Sequence, residues 1–126
     1  MAAMLAPAGC SIGGDEEPQP ASGAPKAIAA TVDRLERAIA AEDFATVCNE
    51  LFTRGARERS GGADCPAQLR STAEGLQRPG IEVRGFVLEG DRARVAVVTT
   101  ARGQARVPDE LLLTRSDGRW LVEAVR

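Results

Sequence analysis

The sequence predicts an α+β domain: three N-terminal helices, then a four-stranded antiparallel meander packed against them. Three observations carry this. Between residues 28 and 76 the larger apolar side chains recur at three- and four-residue steps. Between residues 81 and 125 they fall into four extended runs, and short Gly-containing turn signals separate those runs. A chain of 126 residues holds one domain of ordinary size and is too short for two.

The first helix is expected over residues 26–42. Ile28, Val32, Leu35 and Ile39 form one stripe, and Ala, the best helix former, fills most of the rest. Asp43 is a good N-cap for the second helix, where Phe44, Val47, Cys48, Leu51 and Phe52 recur as one amphipathic face. Residues 53–63 contain Gly55, Gly61 and Gly62 and read as an irregular connection that carries the Arg54, Arg57, Arg59 run. Cys65-Pro66 opens the third helix, because Pro suits the first helical position. Cys65, Leu69 and Leu76 mark its inner side, and Pro79-Gly80 ends the helical half.

Strands are expected at 81–89, 92–101, 104–116 and 119–125. Gly90-Asp91 and Asp117-Gly118 are two-residue hairpin signals, and Arg102-Gly103 is read as the third turn. These turns set a trial register that pairs Val83 with Val98, Gly85 with Ala96, Val98 with Val107, Ala96 with Asp109, Leu113 with Val122 and Leu111 with Ala124. Paired residues share a face of an antiparallel sheet. The helix-facing side then collects Ile81, Val83, Val87, Val98, Val107, Leu111, Leu113, Trp120 and Val122. The outer side collects Phe86, Leu88, Val95, Val97, Leu112 and Leu121 among charged neighbours, including Glu82, Arg84, Glu110 and Glu123. That outer face is more apolar than solvent requires. It is the expected surface of a homodimer, with Phe86, Val95, Val97, Leu112 and Leu121 at its centre. The alternative is that the C-terminal strand curls over this face and leaves a monomer.

Residues 1–9 are small and apolar and end in Ala8-Gly9 before Cys10. They look like the end of a signal peptide whose charged start is missing. They also resemble a bacterial lipobox, in which the Cys becomes lipidated and N-terminal; Pro7 stands where a branched aliphatic residue is usual. Residues 11–25, SIGGDEEPQPASGAP, bury too little apolar surface to offset their ordering entropy and read as a flexible tether. The domain organisation is thus 1–9 signal-like, 10–25 lipid-anchored tether and 26–126 a single folded domain. The expected location is the outer side of a bacterial cell membrane, with the membrane as partner through Cys10.

With Cys10 assigned to lipid, Cys48 and Cys65 remain, 17 residues apart. An even count in an exported chain favours a disulfide, worth about 3 kcal/mol by loop entropy. The alternative is two buried thiols in a cytosolic chain. The composition also excludes chemistry. There is no His, which removes Ser-His-Asp and Cys-His catalysis, histidine metal sites and histidine pH switching. No metal site or cofactor is expected. Lys and Arg total 16 against 18 acids, so no net basic field draws nucleic acid.

Helices followed by a long meander that ends SDGRWLVEAV resemble the nuclear-transport-factor-two-like superfamily, also called cystatin-like or ketosteroid-isomerase-like. The hairpin Asp117-Gly118-Arg119-Trp120 recurs in small exported lipoproteins of that superfamily, as does a Cys on the second helix paired with one before the third. The resemblance covers residues 26–126. It implies a cone-shaped domain in which a curved sheet wraps the helices around a pocket. Members include ketosteroid isomerases, polyketide cyclases and dehydratases, so the fold does not choose a function. The expected function is a non-catalytic lipid-anchored envelope protein that binds a small ligand or an envelope partner. The alternative is a pocket enzyme of the ketosteroid-isomerase or polyketide-cyclase type. Its base would be Asp109, in a pocket with Ala96, Gly85 and Trp120, where dry surroundings would raise the carboxyl toward base duty.

Overall fold

The computed structural model describes residues 18–126. Four helices precede the sheet: α1 (Pro18–Ala40), α2 (Phe44–Thr46), α3 (Arg54–Arg59) and α4 (Cys65–Thr72). The strands β1 (Gly80–Glu89), β2 (Arg92–Thr100), β3 (Val107–Ser116) and β4 (Arg119–Val125) pair in that order as an antiparallel meander. The architecture is α+β, as expected, with one more helix.

Helix α1 buries Ile28, Val32, Leu35 and Ala38 on one stripe. It starts earlier than expected, at Pro18, and takes in Pro25; Ala24 packs against the core one turn before Ile28. The helix stops in a Schellman motif: the Asp43 N–H donates to Ala38 O at 2.8 Å and the Glu42 N–H to Ile39 O at 3.0 Å. Glu42 therefore sits at a left-handed φ of 57°. Asp43 caps α2 as expected, its Oδ1 accepting from the Thr46 N–H at 3.2 Å.

Beyond Thr46 the helix widens into a π-helical turn, Val47–Leu51, closed by the Phe52 N–H on Val47 O at 3.0 Å. The wider turn keeps Val47, Cys48 and Leu51 all buried. Thr53 then caps α3, accepting the Ala56 N–H at 3.0 Å, and its own N–H donates to Val122 O at 2.9 Å. This segment was expected to be irregular. Its helix has only Ala56 to bury and carries Gly55, so no apolar periodicity announced it. Cys65-Pro66 opens α4, and Cys48 and Cys65 form a disulfide with Cα atoms 6.1 Å apart. It staples the π-helical turn to the start of α4.

The helix-facing side of the sheet carries Ala93, Val95 and Val97 of β2, Leu111 and Leu113 of β3, and Trp120 and Val122 of β4. The α1 stripe, Phe44, Val47 and Leu51 close over them as one core. Thr31 donates from Oγ1 to Trp120 O at 2.9 Å, which pins α1 to β4 and satisfies the one buried polar side chain among the described residues.

The trial register holds next to the β3–β4 turn and fails between β2 and β3. Val97 pairs with Asp109 and Ala96 with Glu110, one residue away from the expected pairs. The β2–β3 connection is longer than the Arg102-Gly103 turn implied, because β3 begins at Val107 and not at residue 104. A one-residue slip exchanges the faces of a strand. Val95 and Val97, expected outside, are thus 0% and 1% exposed, and Val98 turns outward. In β1 a bulge at Arg84 makes the same exchange halfway: Gly85 pairs with Ala96 as expected, but Val83 pairs with Val97. After the bulge Phe86 and Leu88 face the helices and Val87 faces out. A second irregularity, at Glu123, leaves Leu113 opposite Val122 as expected and sets Leu111 opposite Val125.

Candidate functional site

The pocket expected around Asp109 is not assembled. Asp109 does lie on the helix-facing side, but across from Val97 and at the end of the sheet, where its Oδ2 accepts from Thr99 Oγ1 at 3.3 Å. Ala96 and Gly85 pair with each other on the opposite face of the sheet. Trp120 is 5% exposed and belongs to the core, beneath α1. The four residues therefore do not surround one space, because the one-residue slip separates Asp109 from the small neighbours assigned to it.

The expected dimer face is also recomposed. Leu112 and Leu121 face outward as expected, each half-buried. Val95 and Val97 are core residues, and Phe86 points to the helix side, 39% exposed at the β1 edge. Val87 and Val98 take their places outside, interleaved with Arg94 and Glu110. The charges expected to rim this face are already paired within the chain. Glu82 accepts from Arg106 at 2.7 Å, and that hydrogen bond holds its carboxyl below the ordinary value of 4.5. Glu123 accepts from Arg59 at 2.8 Å, which lowers it likewise. The Arg54, Arg57, Arg59 run thus supplies an internal clamp, α3 to β4, through its last member. Cys10 lies outside the described residues.

A hollow among the described residues lies elsewhere, where α1 and α4 both end. It is a cleft of about 480 Å³. Its apolar wall is made by Ile39 of α1, Phe44 of α2 and Ala67 of α4, with Ala73, Leu76 and Pro79 from the connection to β1. Four charged residues line the same space: Glu42, Arg70, Glu74 and Arg78. Each has a local cause. Glu42 is the left-handed residue that closes α1. Arg70 lies in the last turn of α4 with its guanidinium 5.4 Å from the Phe44 ring centroid, a cation–π contact that lays the charge along the wall. Glu74 follows the end of α4, its N–H on Ser71 O at 3.2 Å.

Arg78 holds a left-handed φ of 51° directly before Pro79, a costly backbone for a bulky residue. The connection is held there by the Arg102 N–H, which donates to Gln77 O at 2.7 Å. A smaller hollow of about 180 Å³ shares Ile39, Leu76 and Pro79 with the cleft and continues to Thr99 and Val107 at the β2–β3 end of the sheet. Leu76, 37% exposed, stands between the two.

Sequence reasoning passed over all four charged residues. Arg70 is an ordinary exposed helix position and Glu74 an exposed residue of the turn after α4, and only the closing of α4 against α2 brings Arg70 to Phe44. Pro79-Gly80 is read as the end of the helical half, and Arg78 before it carries no side-chain signal. No group of three His, Cys, Asp or Glu suited to a metal ion occurs among the described residues, and no described helix is long and apolar enough to cross a membrane.

No protein-family model matches the chain, and no curated protein matches its sequence. Solved structures share its fold. An NTF-2-like protein of unknown function from Silicibacter pomeroyi DSS-3 superposes with a TM-score of 0.64 at 18% identity, over 83% of this chain and 94% of that one. An NTF2-like protein of unknown function from Shewanella baltica OS155 gives 0.60 at 12% identity, over 82% and 91%. A SEC-C motif-containing protein from Rhodopseudomonas palustris gives 0.55 at 18%, over 71% and 70%. The chain has the NTF2-like fold, the architecture its sequence resembles.

Proposed function

We propose that this chain is a non-catalytic binding module of the bacterial cell envelope, held on the outer side of the membrane by a lipid on Cys10. Its ligand is a small molecule taken into the cleft between the ends of α1 and α4. The observation that carries the reading is that cleft. Its volume of about 480 Å³ lies in the range of small-molecule sites, and its lining sets apolar side chains beside charged groups.

Two further features support it. The Cys48–Cys65 disulfide fits an oxidising compartment. From Pro18 to Ile39 helix α1 spans about 30 Å at its rise per residue. A tether joined at its first end would leave the cleft at the other. The outer sheet face, with Val87, Val98, Leu112 and Leu121, is the surface on which a second copy would pair.

The test has two parts. Expressed behind its native upstream sequence, the protein should partition with membranes, and Cys10→Ala should release it; equal partitioning of the mutant overturns the anchor. Native mass spectrometry of protein purified from the source cell should show a bound small molecule, lost on Leu76→Asp. Protein that carries no adduct, and binds nothing from a metabolite extract, overturns the binding role.

A further inference from the structure

We infer that the cleft recognises a small zwitterion: an amino acid or short peptide with an apolar side chain, whose ammonium and carboxylate are read by opposite charges on one wall. The inference rests on the cleft being a binding site and goes on to name what it takes.

The argument is one of charge placement. A site for a plain anion gathers cations, and a site for a plain cation gathers acids. This wall carries two of each, Arg70 and Arg78 with Glu42 and Glu74. Among the described residues none of these four is joined in an ion pair, although the same chain pairs eight other arginines with acids. Opposite charges are thus held around one hollow and kept apart.

Local structure does the holding. Arg70 is laid on Phe44, and Arg78 and Glu42 both sit at left-handed φ, 51° and 57°. Backbone strain of this kind persists only where the surroundings enforce it. The two helix ends add to the negative side. Helices α1 and α4 both terminate at the cleft, and the negative ends of their dipoles favour an ammonium. A carboxylate then finds guanidinium, whose fork of N–H donors suits it. Between the charges, Ile39, Phe44, Leu76 and Pro79 offer an apolar floor for a side chain.

The test compares three probes of similar size on the full chain by isothermal titration calorimetry. They are the dipeptide leucyl-phenylalanine, its N-acetyl derivative, which has only the carboxylate, and its C-terminal amide, which has only the ammonium. The dipeptide should bind at least tenfold more tightly than either single-charge probe. Arg78→Gly and Arg70→Gln should each weaken it at least tenfold. Arg78→Gly also relieves the left-handed backbone, so its melting temperature should not fall, which separates lost recognition from lost folding. Arg70→Gln is checked by the same melt.

If the N-acetyl or the amide derivative binds as well as the dipeptide, the zwitterion assignment falls and the cleft remains a ligand site. If the dipeptide binds equally to wild type and both variants, the assignment of these arginines falls. If none of the probes binds at millimolar concentration while a purified adduct is present, the ligand class is wrong. Absence of both probe binding and adduct removes the binding role itself.

Discussion

Val97→Ala and Val98→Ala, compared side by side, measure the register of β2 directly. The two residues are neighbours with identical side chains, so propensity and composition cancel. Val97 is 1% exposed between Asp109 and Val83 on the helix side, whereas Val98 is half-buried on the outer face against Pro108. Removing two buried carbons at 97 forfeits about 0.8 kcal/mol each. The hole left under α1 adds to this, for a total of about 2–3 kcal/mol. At 98 part of that surface is already wet and no closed hole forms, so the loss should stay below about 1 kcal/mol. With a urea m-value on the order of 1.3 kcal/mol/M for a domain of this size, Val97→Ala should lower the unfolding midpoint by roughly 2 M and Val98→Ala by well under 1 M. Urea melts followed by the fluorescence of Trp120 read this out. They should be run at low micromolar protein, so that self-association through the outer face does not contribute. Equal losses, or a larger loss at 98, would refute the register and the core assignment built on it.

Three further outcomes are expected. Cys48 and Cys65 should both resist a thiol label in unfolded, unreduced protein, and the double substitution Cys48→Ala with Cys65→Ala should cost about 3 kcal/mol in urea melts; labelling of both thiols would show that the bond is absent. The Arg59–Glu123 pair makes stability depend on pH. Its carboxyl is lowered in the folded state, chiefly by the Arg59 hydrogen bond, so the stability it contributes is complete above the ordinary value of 4.5 and is lost as pH falls through the lower folded value. Melting curves of wild type and Glu123→Gln should therefore differ at pH 7 and converge below pH 4.5; a constant gap would exclude the linkage. Finally, sedimentation at high micromolar concentration should show a dimer that Leu121→Asp converts to monomer, while a monomeric wild type would leave the outer face to a different partner.

The parts of the fold that were legible in the sequence were those set by local rules. The α1 stripe, the Asp43 cap, the Cys65-Pro66 helix start and the two tight hairpin turns each depend on a few adjacent residues, and the structure has all of them. What failed was carried by single residues inserted between such signals. Arg84 bulges out of β1 and Glu123 out of β4, and the β2–β3 connection runs longer than its Gly suggests. Each is one residue's worth of backbone, invisible to alternation because Val and Leu occur on both phases of these strands. Val97 and Val98 are chemically the same, and only the pairing of β2 with β3 decides which is inside. Nothing within β2 itself breaks that tie.

The same limit explains the candidate site. Asp109 was tied to Ala96 by counting from a turn, and a miscount of one residue moved its neighbours to the far side of the sheet. The cleft that the structure does contain depends on no strand register at all. It exists because α1 is stopped by a left-handed Glu42 and because the connection after α4 is forced round by Arg78 and Pro79. Both devices leave helix ends and charged side chains around an unfilled space. Non-glycine residues at positive φ are costly, and two of the three among the described residues stand at the lips of this cleft. Glu42 and Arg78 put opposite charges at the cleft proposed as the binding site, where glycine would put none.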